Sequence, residues 1–207
     1  SLNVSNNDLG KIPSWTFVKG GIFGNNKWVN TDDGTTQQTQ PLPQPQGVIE
    51  IAEFVKTKGL EKLNIRNNKL ASTEAGNALA NALFDNSTLK ELDVSSNIWR
   101  MDGHTQYPYF GDGTAFVQTL ETGLCVNTTL TSLNISANNL RPSGAKTLAN
   151  VLRSRSVLKE LNVAENNLTY NEKGEQGLDT SGIVQLAYSI KNNGKLEKLV
   201  MARNGIT

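Results

Sequence analysis

Few residues of this 207-residue chain have side chains and spacing suited to metal binding. Asp102, His104 and Asp112 share a glycine-rich stretch, and carboxylates and imidazole are common metal ligands. Their spacing matches no metal-binding signature, so a solvated surface loop is the interpretation that we favour. The sequence therefore predicts no metal site.

Catalysis and phosphate binding have equally little support. Cys125 is the single cysteine, and it follows Leu124 at the end of an apolar helical pattern, where an inert, partly buried thiol is expected. The single histidine, His104, has no Ser or Cys nucleophile at a recognisable spacing. The glycine-rich segment 20–24 lacks the Lys-Ser/Thr ending of a phosphate-binding loop. We predict that the protein is not an enzyme and holds no cofactor.

Charge and cysteine usage exclude further classes. Twenty basic and 19 acidic side chains give a net charge of +1, which provides no electrostatic case for binding nucleic acid or a membrane surface. No segment reaches the roughly 18–20 apolar residues that a membrane span needs. A lone cysteine excludes an intrachain disulfide framework and favours a cytoplasmic location.

Asparagine is over-represented, with 25 residues, and a repeat accounts for much of the excess. Six segments share an anchor Leu, an aliphatic or Met residue two positions later and an Asn five positions later. The anchors are Leu2, Leu63, Leu92, Leu133, Leu161 and Leu199, and the Asn residues are Asn7, Asn68, Asn97, Asn138, Asn166 and Asn204. The alternation predicts a short strand, and each Asn is expected to bond backbone groups where the chain turns away.

This L-x-x-L-x-L-x-x-N-x-L pattern resembles a leucine-rich repeat protein. Leucines thirteen and nine residues before the next anchor, such as Leu79 and Leu83, predict an amphipathic helix in each repeat, the first within 47–58. A basic period of 28–29 residues with a helix is similar to the ribonuclease-inhibitor-like subfamily. The resemblance implies an α/β fold: a curved, right-handed solenoid with six parallel strands inside and helices outside, forming one domain over 1–207. Gly76, Gly113, Gly144 and Gly182 are expected to serve close turns at helix entrances.

Three insertions interrupt the repeat near residues 10–46, 100–112 and 170–180, always after the Asn turn. We expect them to emerge along one edge of the solenoid, the first with a polyproline-like end. Nine of the 13 aromatic residues lie in these connections or at the turn that enters one. They either pack into a satellite core or act as anchors for a protein partner. The aromatic candidates for partner binding are Trp99, Tyr107, Tyr109, Phe110 and Tyr170, with Trp99 as the predicted link to the second insertion.

A second candidate surface is the face of the sheet that points away from the helices, here called the open sheet face. One and three residues after the anchors, it should carry small polar and charged side chains. The candidates for partner binding are Asn64, Arg66, Asp93, Asn134 and Asn162. A solvated face with contacts between neighbouring strands is the competing interpretation.

We therefore favour a non-enzymatic protein–protein interaction scaffold that uses the insertion edge, the open sheet face, or both. One alternative is a regulatory module such as a GTPase activator of the Ran-activating type, with Arg66 or Arg100 acting on a nucleotide site. Another is a structural segment of a longer repeat protein. No polar capping element is evident, and Val200 stands where earlier repeats have Asn or Asp. We therefore predict that the chain is either a segment of a longer repeat protein or self-associates through its terminal repeats.

Overall fold

A computed structural model describes residues 1–7, 15–18, 27–30, 36–37, 45–70, 72–98, 113–154, 156–170 and 178–206. Nine strands and five helices lie in these ranges. In chain order they are β1 (Leu2–Asn3), β2 (Trp15–Val18), β3 (Lys27–Asn30), β4 (Thr36–Gln37), α1 (Gln46–Thr57), β5 (Lys62–Asn64), α2 (Thr73–Asp85), β6 (Glu91–Asp93), α3 (Thr114–Val126), β7 (Ser132–Asn134), α4 (Arg141–Arg153), β8 (Glu160–Asn162), α5 (Ser181–Asn193) and β9 (Lys198–Val200).

Six strands form one parallel sheet in the order β1-β5-β6-β7-β8-β9. Each anchor Leu pairs with the next anchor, from Leu2 with Leu63 to Leu161 with Leu199. Along the chain, one helix occurs between each two neighbouring strands of this sheet, and consecutive helices pack on one another. The predicted α/β repeat solenoid with six parallel strands is confirmed.

The core lies between the sheet and the helices, and the repeat positions fill it. The strand residues that face the helices are almost completely buried. The anchors Leu133 and Leu161 are each 1% exposed, and Ile135 and Val163, two positions later, are fully buried. The helices contribute the predicted leucines: Leu79, Leu83, Leu120, Leu124, Leu148, Leu152 and Leu186. Every repeat therefore shares its apolar layer with its neighbours, which is how a repeat too small to fold alone is stabilised.

Of the four glycines predicted to serve close turns at helix entrances, only Gly113 stands directly before a helix, as the N-cap of α3. Gly76, Gly144 and Gly182 lie inside helices. A Cβ on Gly182 would lie only 2.3 Å from the carbonyl oxygen of Pro142 in the preceding helix, and one on Gly76 would lie 2.6 Å from the carbonyl oxygen of Phe116 in the following helix. Gly76 and Gly182 therefore allow neighbouring helices to approach closely, whereas a Cβ on Gly144 would lie 2.5 Å from Leu140 Cβ at the start of its own helix. The predicted role in turns was wrong for these three glycines.

The turn after each strand relies on a left-handed backbone conformation. The residue four positions after the anchor has a φ angle of 55–60° in all six repeats. These residues are Asn6, Asn67, Ser96, Ala137, Glu165 and Arg203. Only some of them are of types that adopt this conformation readily, so surrounding interactions must hold the turn.

The first insertion contains a small antiparallel sheet that the sequence analysis did not predict. Its strand order is β2-β3-β4, with Trp15 opposite Asn30 and Trp28 opposite Gln37. Aromatic and β-branched residues in β2 and β3 favour strands, a signal hidden by the Gly-, Thr- and Gln-rich composition around them. The predicted polyproline-like end falls mostly on residues 38–44, outside the described residues. Among the described helices, none has the length and apolar character to cross a bilayer.

Candidate functional site

A column of buried asparagines follows the strands of the parallel sheet. Asn68, Asn138 and Asn166 are fully buried, whereas Asn97 is 1% and Asn204 is 2% exposed. Asn7, at the edge of the column, is exposed. We call these six residues the turn column.

Asn138 shows how a member of the turn column is bonded. Its Nδ2 donates to the carbonyl oxygen of Ile135 in its own repeat, at 3.0 Å, and to that of Val94 in the preceding repeat, at 2.9 Å. Its Oδ1 accepts the backbone N–H of Asn97 at 2.8 Å. One side chain therefore satisfies three backbone groups that the turns leave unpaired.

The same contact runs without a break through all six repeats. The backbone N–H of each Asn in the turn column, except the last, donates to the Oδ1 of the next Asn along the chain, at 2.6–3.0 Å. The series is Asn7 to Asn68, Asn68 to Asn97, Asn97 to Asn138, Asn138 to Asn166 and Asn166 to Asn204. This chain fixes the strand ends relative to one another and so holds the open sheet face in one geometry.

A second set of asparagines lies where helices end, and the sequence analysis missed it. The Nδ2 of Asn127 donates to the carbonyl oxygen of Leu83 in the preceding helix at 2.8 Å, and its Oδ1 accepts from Leu130 N at 2.8 Å. Asn86 bonds Val55 O and Asn193 bonds Leu152 O in the same way, both at 2.8 Å. We call Asn86, Asn127 and Asn193 the helix-end column.

A sequence signal for the helix-end column exists. Each of its asparagines stands three residues before a leucine, at Leu89, Leu130 and Leu196. After α4 the equivalent position, three residues before Leu158, is Arg155, which lies outside the described residues. There Ser156 Oγ accepts the N–H of Leu158 at 3.3 Å instead. The first repeat also lacks this asparagine, because Thr57 stands three residues before Leu60, so the solenoid folds without it in two places.

The open sheet face carries the four predicted Asn and Asp candidates, all half-buried: Asn64, Asp93, Asn134 and Asn162. In each, Oδ1 accepts the backbone N–H two residues later, at 2.9–3.2 Å. Asn134 Nδ2 also donates to Asp93 Oδ2 at 3.1 Å. These bonds orient the row of amides and leave Asn64 Nδ2 and Asn162 Nδ2 without a partner among the described residues.

The next row of the open sheet face is uneven. Arg66 is exposed, as predicted for a partner-binding candidate, whereas Ser95 is only 1% exposed. Ser95 Oγ is buried without a hydrogen-bond partner among the described residues. The middle of the face is therefore more enclosed than its ends.

Ion pairs cross between neighbouring strands just before the anchors. Lys90 pairs with Glu61 at 2.6 Å and Lys62 with Glu91 at 2.7 Å. Lys90 lowers the pKa of the Glu61 carboxyl through a hydrogen bond and its charge. A second such set joins the last two strands: Lys159 with Glu197 at 2.7 Å and Lys198 with Glu160 at 3.5 Å. Exposed pairs add little stability, but they balance the charge along this margin.

Most of the aromatic candidates fall outside the described residues. This holds for Trp99, Tyr107, Tyr109 and Phe110, and the predicted meeting of the three insertions on one edge stays a prediction for the same reason. Tyr170 is described: it is 54% exposed and forms an antiparallel bridge with Leu178, which is also 54% exposed. The Tyr170 ring lies over the last turn, since a Cβ on Gly205 would be 3.1 Å from Tyr170 Cε2.

The candidate metal ligands and the single cysteine do not define a further functional site among the described residues. Asp102, His104 and Asp112 lie outside the described residues. Across the described ranges, no three His, Cys, Asp or Glu side chains are placed to hold a metal ion. Cys125 is half-buried at the end of α3, and burial raises the pKa of its thiol above the usual value.

Comparison with known proteins points to the repeat itself. A family profile described as "Leucine Rich repeat" matches residues 85–97 and 126–149. The chain is 36% identical over 81 residues to "Leucine-rich repeat-containing protein 45" of Gallus gallus. The match covers 37% of this chain and 12% of that relative, so the chain spans about an eighth of the relative's length.

Two solved structures share the fold. The chain resembles "Leiomodin-1 Actin-Binding Site 2 (ABS2)" with a TM-score of 0.55 and 22% identity, over 73% of this chain and 77% of that one. It resembles the tropomodulin C-terminal domain of Caenorhabditis elegans with a TM-score of 0.55 and 16% identity, over 77% and 84%. The anchor-to-anchor strand register, the asparagine turns and these matches together show that the chain has a leucine-rich repeat fold, with the repeat profile matched at residues 85–97 and 126–149.

Proposed function

We propose that this protein is a non-enzymatic interaction scaffold that binds a protein partner through the open sheet face. The observation that carries the proposal is the oriented row Asn64, Asp93, Asn134 and Asn162. A general role in protein interaction agrees with its leucine-rich repeats.

Preorganisation is the physical reason to expect binding on this face. Each side chain of the row is held by a bond to its own backbone, so little rotamer freedom remains to be lost when a partner binds. Amide N–H groups such as Asn64 Nδ2 and Asn162 Nδ2 suit carbonyl or carboxylate oxygens of a partner. The balanced ion pairs beside the row favour a partner without a strong net charge.

The edge at the third insertion supplies an apolar contact in the same proposal. Tyr170 and Leu178 are each about half exposed and lie side by side across their bridge. An exposed tyrosine such as Tyr170 is a common interface anchor, and Leu178 extends its apolar surface. A partner that spans the open sheet face and this edge would use both polar specificity and apolar contact.

Actin is our first candidate partner. The support is the fold shared with actin-binding site 2 of leiomodin-1. Because a shared fold does not fix a partner, the candidate needs a direct test. Co-sedimentation of the 207-residue chain with purified actin filaments provides it: enrichment in the pellet supports actin, and a chain that stays in the supernatant removes it.

The binding face is tested separately from the identity of the partner. Proteins captured from the source cell by the wild-type chain would be compared with those captured by Asn64→Ala/Asn162→Ala and by Tyr170→Ala. Asn77→Ala, on an exposed position of α2, is the matched control. Loss of the same captured protein in the first two variants but not in the control supports the proposal. Equal capture by all four proteins contradicts it.

Several finer assignments belong to the same proposal. The helix in every repeat and the 28–29-residue period support the ribonuclease-inhibitor-like subfamily and a single repeat domain over 1–207. The single free cysteine supports a cytoplasmic location. A GTPase-activating role is the alternative, for which the exposed Arg66 is a candidate. Stimulation of a panel of GTPases that is lost in Arg66→Ala would favour this alternative over the scaffold.

A further inference from the structure

The row of amides on the open sheet face contains one acidic residue. One residue after the anchors, the first five repeats have Asn3, Asn64, Asp93, Asn134 and Asn162. Asp93 therefore places a negative charge in the middle of an otherwise neutral row.

The local turn does not account for this charge. Asp93 Oδ1 accepts the backbone N–H of Ser95 at 2.9 Å. The amide oxygens of Asn64 and Asn162 accept the same bond in their own repeats, at 3.0 and 3.1 Å, so a neutral side chain is enough for the turn. Asp93 Oδ2 accepts Asn134 Nδ2 at 3.1 Å. Both donors to Asp93 are uncharged, so these bonds leave the negative charge of the carboxylate uncompensated.

No described cation forms an ion pair with Asp93. Six ion pairs join described residues, and Asp93 takes part in none of them. Asp93 is half-buried, and Ser95, which bonds to it, is only 1% exposed, so water is excluded from part of its surroundings. A carboxylate in such a place attracts an opposite charge more strongly than one in open solvent does.

Two amide groups on either side of Asp93 have hydrogen-bonding capacity left. Asn64 lies on the neighbouring strand β5, and Asn162 lies two strands away on the other side, on β8. Their Nδ2 atoms have no partner among the described residues. Backbone carbonyls that could accept from them are free in an extended segment, whereas those of a helix are bonded within the helix. The free amides therefore suit an extended partner segment.

The spacing of these groups sets the direction and length of such a segment. Asn64, Asp93, Asn134 and Asn162 are in register on four neighbouring strands, so the row runs across the strands. Neighbouring strands lie about 4.8 Å apart, which places Asn64 and Asn162 about 14 Å from each other. An extended chain rises about 3.3 Å per residue, so about four residues cover this distance.

We propose that the open sheet face binds an extended segment of a partner protein that carries one basic side chain opposite Asp93. This inference rests on the proposed function and names the chemistry of the partner. The segment crosses the strands, and its backbone carbonyls accept from Asn64 Nδ2 and Asn162 Nδ2. A Lys or Arg between those carbonyls pairs with the Asp93 carboxylate. A single basic residue also agrees with the balanced ion pairs along the margin, which favour a partner without a strong net charge.

A phage-displayed library of random peptides of about 12 residues, long enough to span the row, provides the probe. Peptides selected on the wild-type chain would be kept when they fail to bind Asn64→Ala/Asn162→Ala, which restricts them to the open sheet face. We expect the retained peptides to share one Lys or Arg in an otherwise weakly charged sequence. Retained peptides without a shared basic residue would overturn the inference while supporting the proposed function. A library in which no peptide depends on Asn64 and Asn162 also overturns it, whereas the scaffold proposal is judged by its captured partner.

Asp93→Asn tests the charge by itself. Asn occupies this position in four other repeats, so the variant keeps the turn bond and should fold. Its affinity for a synthetic copy of a retained peptide, measured by fluorescence polarisation, should fall about tenfold, because a charge-assisted hydrogen bond is lost. Asp85→Asn is the matched control, since Asp85 is an exposed acidic residue at the end of α2 that forms none of the ion pairs among the described residues.

Changes in the peptide separate charge pairing from a change of shape. An uncharged counterpart of the shared residue, citrulline for Arg or acetyl-lysine for Lys, should weaken binding to the wild-type chain but not to Asp93→Asn. Raising the salt concentration should weaken binding to the wild-type chain and have little effect on Asp93→Asn. Equal affinity of the wild-type chain and Asp93→Asn for the peptide, or an equal loss in Asp85→Asn, contradicts the inference.

Discussion

Asn134 and Asn138 belong to the same strand and turn, yet the structure uses them in opposite ways. Asn134 lies half-buried on the open sheet face and bonds Ser136 N and Asp93 Oδ2. Asn138 is fully buried and bonds backbone groups of its own and the preceding repeat. The same side chain thus belongs to the proposed binding row at one position and connects repeats at the other.

The difference shows that position relative to the strand decides what an asparagine does. One residue after the anchor, a side chain points away from the helices, where water competes for its bonds. Five residues after it, the chain has turned inward, and backbone groups have no water to bond. A partner therefore has access to the first row, whereas the turn column is available only to the protein itself.

We expect the largest loss of stability in this repeat when its anchor leucine is replaced. Leu133→Ala removes a side chain that is 1% exposed and lines a core shared with the neighbouring repeats. We expect the free energy of unfolding to fall by about 2–5 kcal/mol. Urea denaturation followed by circular dichroism measures it, and a loss below about 1 kcal/mol would contradict a core shared between repeats.

Asn138→Ala should have the next largest effect. It leaves Asn97 N, Val94 O and Ile135 O without their present partner. We expect a loss of about 1–3 kcal/mol in the same urea experiment, because unpaired buried backbone groups are costly. Equal free energies of unfolding for Asn138→Ala and Asn134→Ala would contradict the structural role assigned to Asn138 alone.

Asn127→Ala should cost less than Asn138→Ala. The helix-end column is already interrupted at Thr57 and Arg155, so the fold has two natural repeats without this asparagine. We expect a loss of about 1 kcal/mol, from the unpaired carbonyl of Leu83 and the turn N–H of Leu130. A loss larger than that of Asn138→Ala would reverse the ranking of the two columns.

Asn134→Ala should change stability by no more than about 0.5 kcal/mol, since its bonds lie on a half-buried surface. Its expected effect is on binding instead. Affinity for the captured partner should fall while the urea midpoint stays near that of the wild type. A drop in stability with unchanged binding would assign Asn134 to the scaffold.

The smallest effect concerns the exposed margin of the face. Because Lys90 lowers the folded-state pKa of Glu61, its contribution to stability is present above the unfolded-state pKa and is lost as the pH falls through the folded-state pKa. Glu61→Gln should therefore differ slightly from wild type at pH 7 and not at all in strong acid. Urea midpoints across this pH range, at low salt, test the sign.

The repeat made the strands and helices predictable. An anchor Leu every 28 or 29 residues, apart from insertions, fixes where each strand must pair, and α1 falls at Gln46–Thr57 beside the predicted 47–58. The inward leucines followed from the same spacing. Periodicity is informative here because each repeat has to match its neighbours to bury its core.

Features that do not share the period were missed. The sheet of β2, β3 and β4 occurs once, inside an insertion, so no second copy reinforced its signal. The helix-end column was hidden because two of the five equivalent positions are Thr57 and Arg155. Gly76 and Gly182 were taken for turn residues because sequence alone does not show how closely neighbouring helices approach. The open sheet face was predictable by position, but the bonds that orient its amides were not.

Because of the turn column, neighbouring repeats pack in the same way whatever the length of the segment that connects them. Its N–H to Oδ1 bond joins residues 28, 29, 38, 41 or 61 positions apart with nearly the same geometry. The segment after each Asn turn can therefore lengthen or shorten without disturbing the sheet. For protein engineering, these segments are natural grafting points: a foreign loop of about thirty residues, close to the length of the first insertion, should be accepted there while the scaffold keeps its shape.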